Sequence, residues 1–301
     1  MVQSVAFSTP ASAPAWQRWL VFSPLARIVI YAAMMFGIGY AARAGLEPTG
    51  WLAKTSSPVQ RAVAHLILEL VPMVLSYLIL VLLIERRPVR ELSPRAIVTR
   101  GIPGFIGGVV LFSVVVGLLW MFGSYHVMGT NPGVDWLPDV LVAGVAAGIG
   151  EEVLTRGVLF RVTEEGLGTW WALVISAAFF GIAHIFNPAA TWWSSAAIAI
   201  EAGILLALLY LVTRSLWACI GLHAAWNITQ GTIYGIPVSG GQAHGWLISN
   251  RTGPEWLSGG AFGAEASVVA LATCSLVSVA LLVVACRRQL IVPPSWRRKK
   301  A

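Results

Sequence analysis

Glu151 and Glu152 stand side by side at the end of an apolar stretch, Ala143-Gly144-Val145-Ala146-Ala147-Gly148-Ile149-Gly150, and Arg156 follows four residues later. Ionisable groups at membrane depth cost about 2.5–3.5 kcal/mol each on insertion scales and mark functional sites by default. Adjacent helix residues point about 100° apart, so the two carboxylates need not share one task. Arg156 lies one turn beyond Glu152 and can hold it ionised along one face. Glu151 is then the freer carboxylate and a candidate general base. A purely structural ion-pair cluster is the competing reading.

Two further apolar stretches each bring polar side chains. One ends Phe179-Phe180-Gly181-Ile182-Ala183-His184; the other holds His223-Ala224-Ala225-Trp226-Asn227. His223 and Asn227, four apart, share one face of a helix. A lone histidine is usually a satisfied core residue. Two histidines, an asparagine and a carboxylate pair on three helices can satisfy one another, bind a metal, or handle a substrate and water. Glu151, His184 and His223 would make a two-His, one-Glu zinc set with an open position. A glutamate-activated water needs no metal, so the cofactor is none or zinc. His-Glu-x-x-His and Gly-x-Ser-x-Gly are both absent, and no cysteine neighbours a base, which excludes a standard zincin and a serine-elbow hydrolase. His65 and Glu69 form a polar pair on one helix face, structural or substrate-lining. Glu201 stands alone in an apolar run, as a structural hydrogen bond or as part of the site.

These residues need helices to position them, and the composition says which kind. Of 301 residues, 57% are hydrophobic and 11% charged, against about 25% charged in soluble domains. Such a chain cannot cover a water-facing surface and must face lipid, which leaves nucleic acid out as a partner. Eight stretches approach the roughly 20 apolar residues of a spanning helix: 25–44, 60–84, 101–123, 136–163, 169–187, 191–213, 216–236 and 264–286. No alternating barrel strands occur. The fold expected is all-α and polytopic, with about eight transmembrane helices.

Placing the N-terminus inside puts Arg18, Arg27, Arg86, Arg87, Arg90, Arg95, Arg100, Arg156, Arg161, Arg214, Arg287, Arg288, Arg297, Arg298, Lys299 and Lys300 on the cytoplasmic side. Arg43, Lys54, Arg61 and Arg251 remain outside. That bias predicts cytoplasmic termini at both ends. Residues 1–135 hold three helices and a basic loop, 136–236 a core of four, and 237–301 an outer loop, the last helix and a basic tail. Ala11-Ser12-Ala13-Pro14-Ala15 resembles a cleavage site, but no apolar core precedes it, which argues against a signal peptide. The three cysteines sit in apolar stretches without metal spacing.

Glu151-Glu152-x-x-x-Arg156, Phe180-x-x-x-His184 and His223-x-x-x-Asn227, in that order, resemble the CAAX-processing and bacteriocin-processing intramembrane proteases, the type II CAAX prenyl endopeptidase or abortive-infection family. The stretch from Gly203 to Tyr210, leading into Leu216-Trp217, also fits. The resemblance covers about residues 136–236. It implies a helical, multi-pass endopeptidase cutting a membrane-associated, sometimes prenylated, protein or peptide. It implies Glu151 as the base that activates water, assisted by His184. His223 and Asn227 take the oxyanion positions, with Glu152 and Arg156 in support. A non-catalytic membrane scaffold or regulator, or a proton-coupled transporter, are the rivals. One difficulty stands: if each helix spans fully, Glu151 is central, His184 lies toward the outer side and His223 in the inner third. Either residues 164–172 dip into the bundle, or Trp170 and Trp171 mark a displaced helix start.

Overall fold

The computed structural model describes residues 9, 10 and 12–298. Ala11, Lys299 and Lys300 lie outside the described residues, as does the start of the chain. After a short helix, Ala15–Leu20, eight longer helices follow: α1, Pro24–Leu46; α2, Pro58–Ile84; α3, Ile97–Met121; α4, 136–167; α5, Thr169–His184; α6, Trp192–Thr213; α7, 216–233; and α8, Val268–Arg287. Each overlaps one of the eight stretches read from the sequence. Their starts carry the expected chemistry. Ser23 and Ser267 cap α1 and α8, and Ser57 with Gln60 closes a capping box on α2. Helix α4 contains wide π-type turns at 140–146 and 153–160, flanking Glu151 and Glu152. An antiparallel pair, β1 Tyr125–Thr130 and β2 Leu247–Arg251, joins the segments that follow α3 and α7 and was not anticipated.

Among the described residues, five helices are long and apolar enough to cross a membrane: α1, α2, α3, α6 and α8. The other three, α4, α5 and α7, are the ones that carry the site. Carboxylates and two arginines lower the hydropathy of α4, and α5 has only 16 residues. An all-α polytopic membrane protein is the result, the three helices that carry the candidate site deviating from the lipid-facing pattern.

Consecutive helices alternate in direction, and one end of the bundle shows it. Arg27, in the first turn of α1, bridges Glu85 beyond α2 at 3.0 Å and Glu165 near the end of α4 at 2.7 Å. Arg161 of α4 reaches Glu85 at 3.0 Å, and Arg214 after α6 reaches Glu164 at 2.5 Å. Thr169, opening α5, donates to Glu164 and accepts from Val292, which follows α8. Gly168 makes the turn from α4 to α5 at φ +86°, where a Cβ would stand 2.8 Å from the Val292 carbonyl oxygen. The start of α1 and the end of α8 therefore share one end of the bundle.

Buried ion pairs there are acid-sensitive. Burial of Glu91 favours its neutral form, but hydrogen bonds and charge from Arg87 prevail and hold it down to about 2. A free glutamate titrates at about 4.3. The folded value is the lower, so this stabilisation is present above about pH 4.3 and is lost as pH falls through about 2. Thermal melts in detergent should show a fall across that window that is smaller in Glu91→Gln. An equal fall in both proteins would contradict the assignment.

Candidate active site

Helices α4 and α7 are pressed together, and this contact builds the site. A Cβ on Gly148 would lie 2.9 Å from Ala224 Cβ, and one on Gly144 would lie 2.7 Å from Ile228 Cδ1. Gly144 and Gly148, small residues four apart, thus form the packing face. Ala224 and Ile228 directly follow His223 and Asn227, so the same contact carries both polar residues to α4.

The depth difficulty is resolved by offset helices. Trp170 and Trp171 are half-exposed in the first turn of α5, while Glu164, Thr169 and Ala172 around them are buried. Helix α4 runs to residue 167 and turns tightly into α5. Glu151 lies about 24 Å back along α4 from that turn and His184 about 22 Å along α5 from it, at about 1.5 Å per residue. Helix α7 begins inside the bundle, Leu216 packing where a Gly157 Cβ would be, 3.3 Å away. His223 therefore rises to the same level.

Glu151 Oε2 stands 4.0 Å from His184 Nε2 and 4.0 Å from His223 Nε2. That oxygen is enclosed and has no hydrogen-bond partner, while the side chain as a whole is 27% exposed. The carboxyl is reachable on one side and faces two imidazoles on the other. Glu152 is fully buried, and its Oε1 accepts from Arg156 Nη1 at 2.8 Å and from His223 Nδ1 at 2.8 Å. The expected Glu152–Arg156 pair is present. The sequence reading missed that Glu152 also orients His223, because only the fold brings α7 there. Arg156 donates to the Ala202 and Gly203 carbonyls of α6, each at 3.0 Å, and its guanidinium lies 5.0 Å over the Phe180 ring. It thereby ties α4 to α5 and α6.

His184 Nδ1 is 2.7 Å from the Phe180 carbonyl. A carbonyl only accepts, so Nδ1 carries the proton and the neutral ring presents Nε2 as an acceptor. Asn227 Nδ2 donates to the Ala143 carbonyl at 2.8 Å, leaving its second N–H. His184, His223 and Asn227 line one cavity, with Phe180 and Trp226.

Two acids share that cavity. Glu201 lines it, beside Ile198, Ala202 and Leu205. Glu265 is a residue the sequence reading passed over, since it sits where a helix start explains an acid. It is 2% exposed and accepts from Ser239 N at 2.7 Å, Ser239 Oγ at 2.6 Å and Gln230 Nε2. Burial pushes its carboxyl up, against the pull of those bonds. Glu69 lies beside the site, its Oε1 3.5 Å from where a Gly150 Cβ would be. His65 is exposed and forms no hydrogen bond to Glu69.

For zinc, the donor types converge but their spacing does not suit the ion. Ligand atoms about 2.0–2.1 Å from a tetrahedral centre lie about 3.3 Å apart, against 4.0 Å here. Among the described residues no group of three histidine, cysteine or acidic side chains is placed to hold a metal ion.

Neither curated proteins nor solved structures give a match to the chain. Residues 133–229, which hold Glu151, Glu152, Arg156, His184, His223 and Asn227, match the family model Rce1-like, Type II CAAX prenyl endopeptidase Rce1-like, and it is to this family that the site-bearing third of the chain is similar.

Proposed function

We propose that the protein is an intramembrane endopeptidase in which Glu151 and His184 activate a water that hydrolyses a peptide bond. The family supports a CAAX-type protease in the membrane. The observation that carries the mechanism is Glu151 Oε2, enclosed, unpartnered and 4.0 Å from both Nε2 atoms. A water bonded at about 2.8 Å to two such atoms fits that separation at an angle near 90°.

In this reading the water donates one hydrogen to Glu151 and the other to His184 Nε2. Glu151 takes the proton as the water oxygen attacks the scissile carbonyl carbon. The oxyanion is met by the second N–H of Asn227 and by His223 Nε2–H. Glu152 accepts from His223 Nδ1 and so favours the imidazolium that can donate from Nε2. Such donors contribute about 2.7–4 kcal/mol each in a site shielded from water. The C–N bond then breaks, and the proton on Glu151 passes to the leaving amine. Glu152 and Arg156 act through position and do not touch the substrate. No step passes through a metal.

The substrate is a peptide segment of a membrane-associated protein, reached from the open side of Glu151. The ion-paired bundle end carries Arg27, Arg87, Arg161 and Arg214 and is assigned to the cytoplasm, with both chain termini, by the positive-inside rule. To test the reading, the full chain is reconstituted in bilayers with membrane-anchored peptides, and new termini are located by mass spectrometry. Defined cuts made by the wild type and absent with Glu151→Gln are expected. Cuts that persist in Glu151→Gln would contradict the assignment, and no cuts by the wild type would favour the scaffold reading.

A further inference from the structure

Seven acids are buried in the described bundle, and five of them sit against a guanidinium: Glu85, Glu91, Glu152, Glu164 and Glu165. Glu201 and Glu265 do not. They are 3% and 2% exposed, and neither takes part in a salt bridge among the described residues. Both line the cavity that holds His184, His223 and Asn227. Neutral groups, Ser239 and Gln230, satisfy Glu265 only in part. Arg251, whose charge reaches Glu265, spends its guanidinium on the Ser258 carbonyl.

A buried carboxylate without a counter-charge is costly, and a chain that pairs its other buried acids has the means to avoid it. The unpaired two differ from the rest in facing the space where a substrate would lie. Around them the walls are apolar, with Phe180, Ile198, Leu205 and Leu206, and suit a methylene stem ending in a charge.

We propose that Glu201 and Glu265 form a subsite for a cationic group of the substrate, a lysine or arginine side chain close to the scissile bond. The substrate supplies the missing counter-charge, and its ion pair with the two carboxylates seats the peptide against His184, His223 and Asn227. A free carboxylate is repelled from the same end of the cavity. The proposal rests on the endopeptidase reading given above.

The test has two arms on the full chain in detergent or bilayers. Quenched fluorogenic peptides carry lysine, arginine, norleucine or glutamate at each position in turn. At one position near the cut, lysine or arginine should exceed norleucine in kcat/KM by on the order of 10²-fold. In the double variant Glu201→Gln/Glu265→Gln that ratio should fall to about 1. Separately, n-pentylamine, but not n-pentanol, should raise the melting temperature of Glu151→Gln by mass action. The same amine should leave Glu151→Gln/Glu201→Gln/Glu265→Gln unmoved. Cleavage with no basic preference and no amine shift overturns the subsite and leaves the endopeptidase reading standing. An amine shift that needs both acids, in a protein that cleaves no peptide, overturns the endopeptidase reading and leaves the cation site standing. The wild-type panel needs no variant to fold, and a basic preference that survives the double substitution also overturns the proposal.

Discussion

Glu151→Gln should lower kcat/KM by about 10²–10⁴-fold or more while leaving the melting temperature close to that of the wild type. Its reactive oxygen has no protein partner to lose, and glutamine keeps the shape while removing the base. Glu152→Gln should behave in the opposite way. Its Oε1 holds both Arg156 and His223, so neutralising it strands a fully buried guanidinium. Breaking a buried pair from one side costs about 3–5 kcal/mol, which should appear as a marked fall in the melting temperature in detergent. Activity should fall as well, because His223 loses the group that orients it. The two carboxylates are adjacent in sequence, so the contrast tests the division of labour directly. Equal destabilisation by both substitutions would show that division to be wrong.

Asn227 yields the second large effect. Asn227→Ala should cut kcat by about 10²–10³-fold with little change in KM, the signature of a donor used only in the transition state. Asn227→Asp should be as damaging, since a carboxylate repels the oxyanion. A zinc held by Glu151, His184 and His223 leads elsewhere. There Asn227→Asp could add an oxygen ligand and keep activity, and a chelator would abolish activity until zinc is restored. Steady-state kinetics on the two variants, with chelation and add-back on the wild type, separate the mechanisms. An active Asn227→Asp protein together with zinc-dependent rescue would overturn the metal-free account.

The sequence was most legible where chemistry and periodicity coincide. Glu151, His184, His223 and Asn227 were picked out because polar groups in apolar helices are expensive, and the fold gathers them at one depth. Gly144 and Gly148, small and four apart, lie on the face that α7 covers. What stayed hidden depends on contacts between distant segments. Glu152 reads as a partner for Arg156 because that pair is one turn apart, whereas its bond to His223 spans 71 residues. The depth difficulty came from treating every helix as a full span. The one-residue turn at Gly168 and the deep start of α7 follow from packing, which hydropathy does not report. Glu265 escaped because an acid before a helix already has an ordinary explanation in the helix dipole. The strand pair β1–β2 escaped because its segments are short and lie more than 100 residues apart.

The central claim is that a water activated by Glu151 attacks the peptide carbonyl. A single turnover with enzyme in excess, run in H₂¹⁸O and followed by mass spectrometry of both product and protein, tests it most directly. The account predicts one ¹⁸O in the new C-terminal carboxylate of the product and none in the peptide containing Glu151. Label at Glu151 in the first turnover, with an unlabelled product, would mean that the carboxylate itself attacks and would contradict the account.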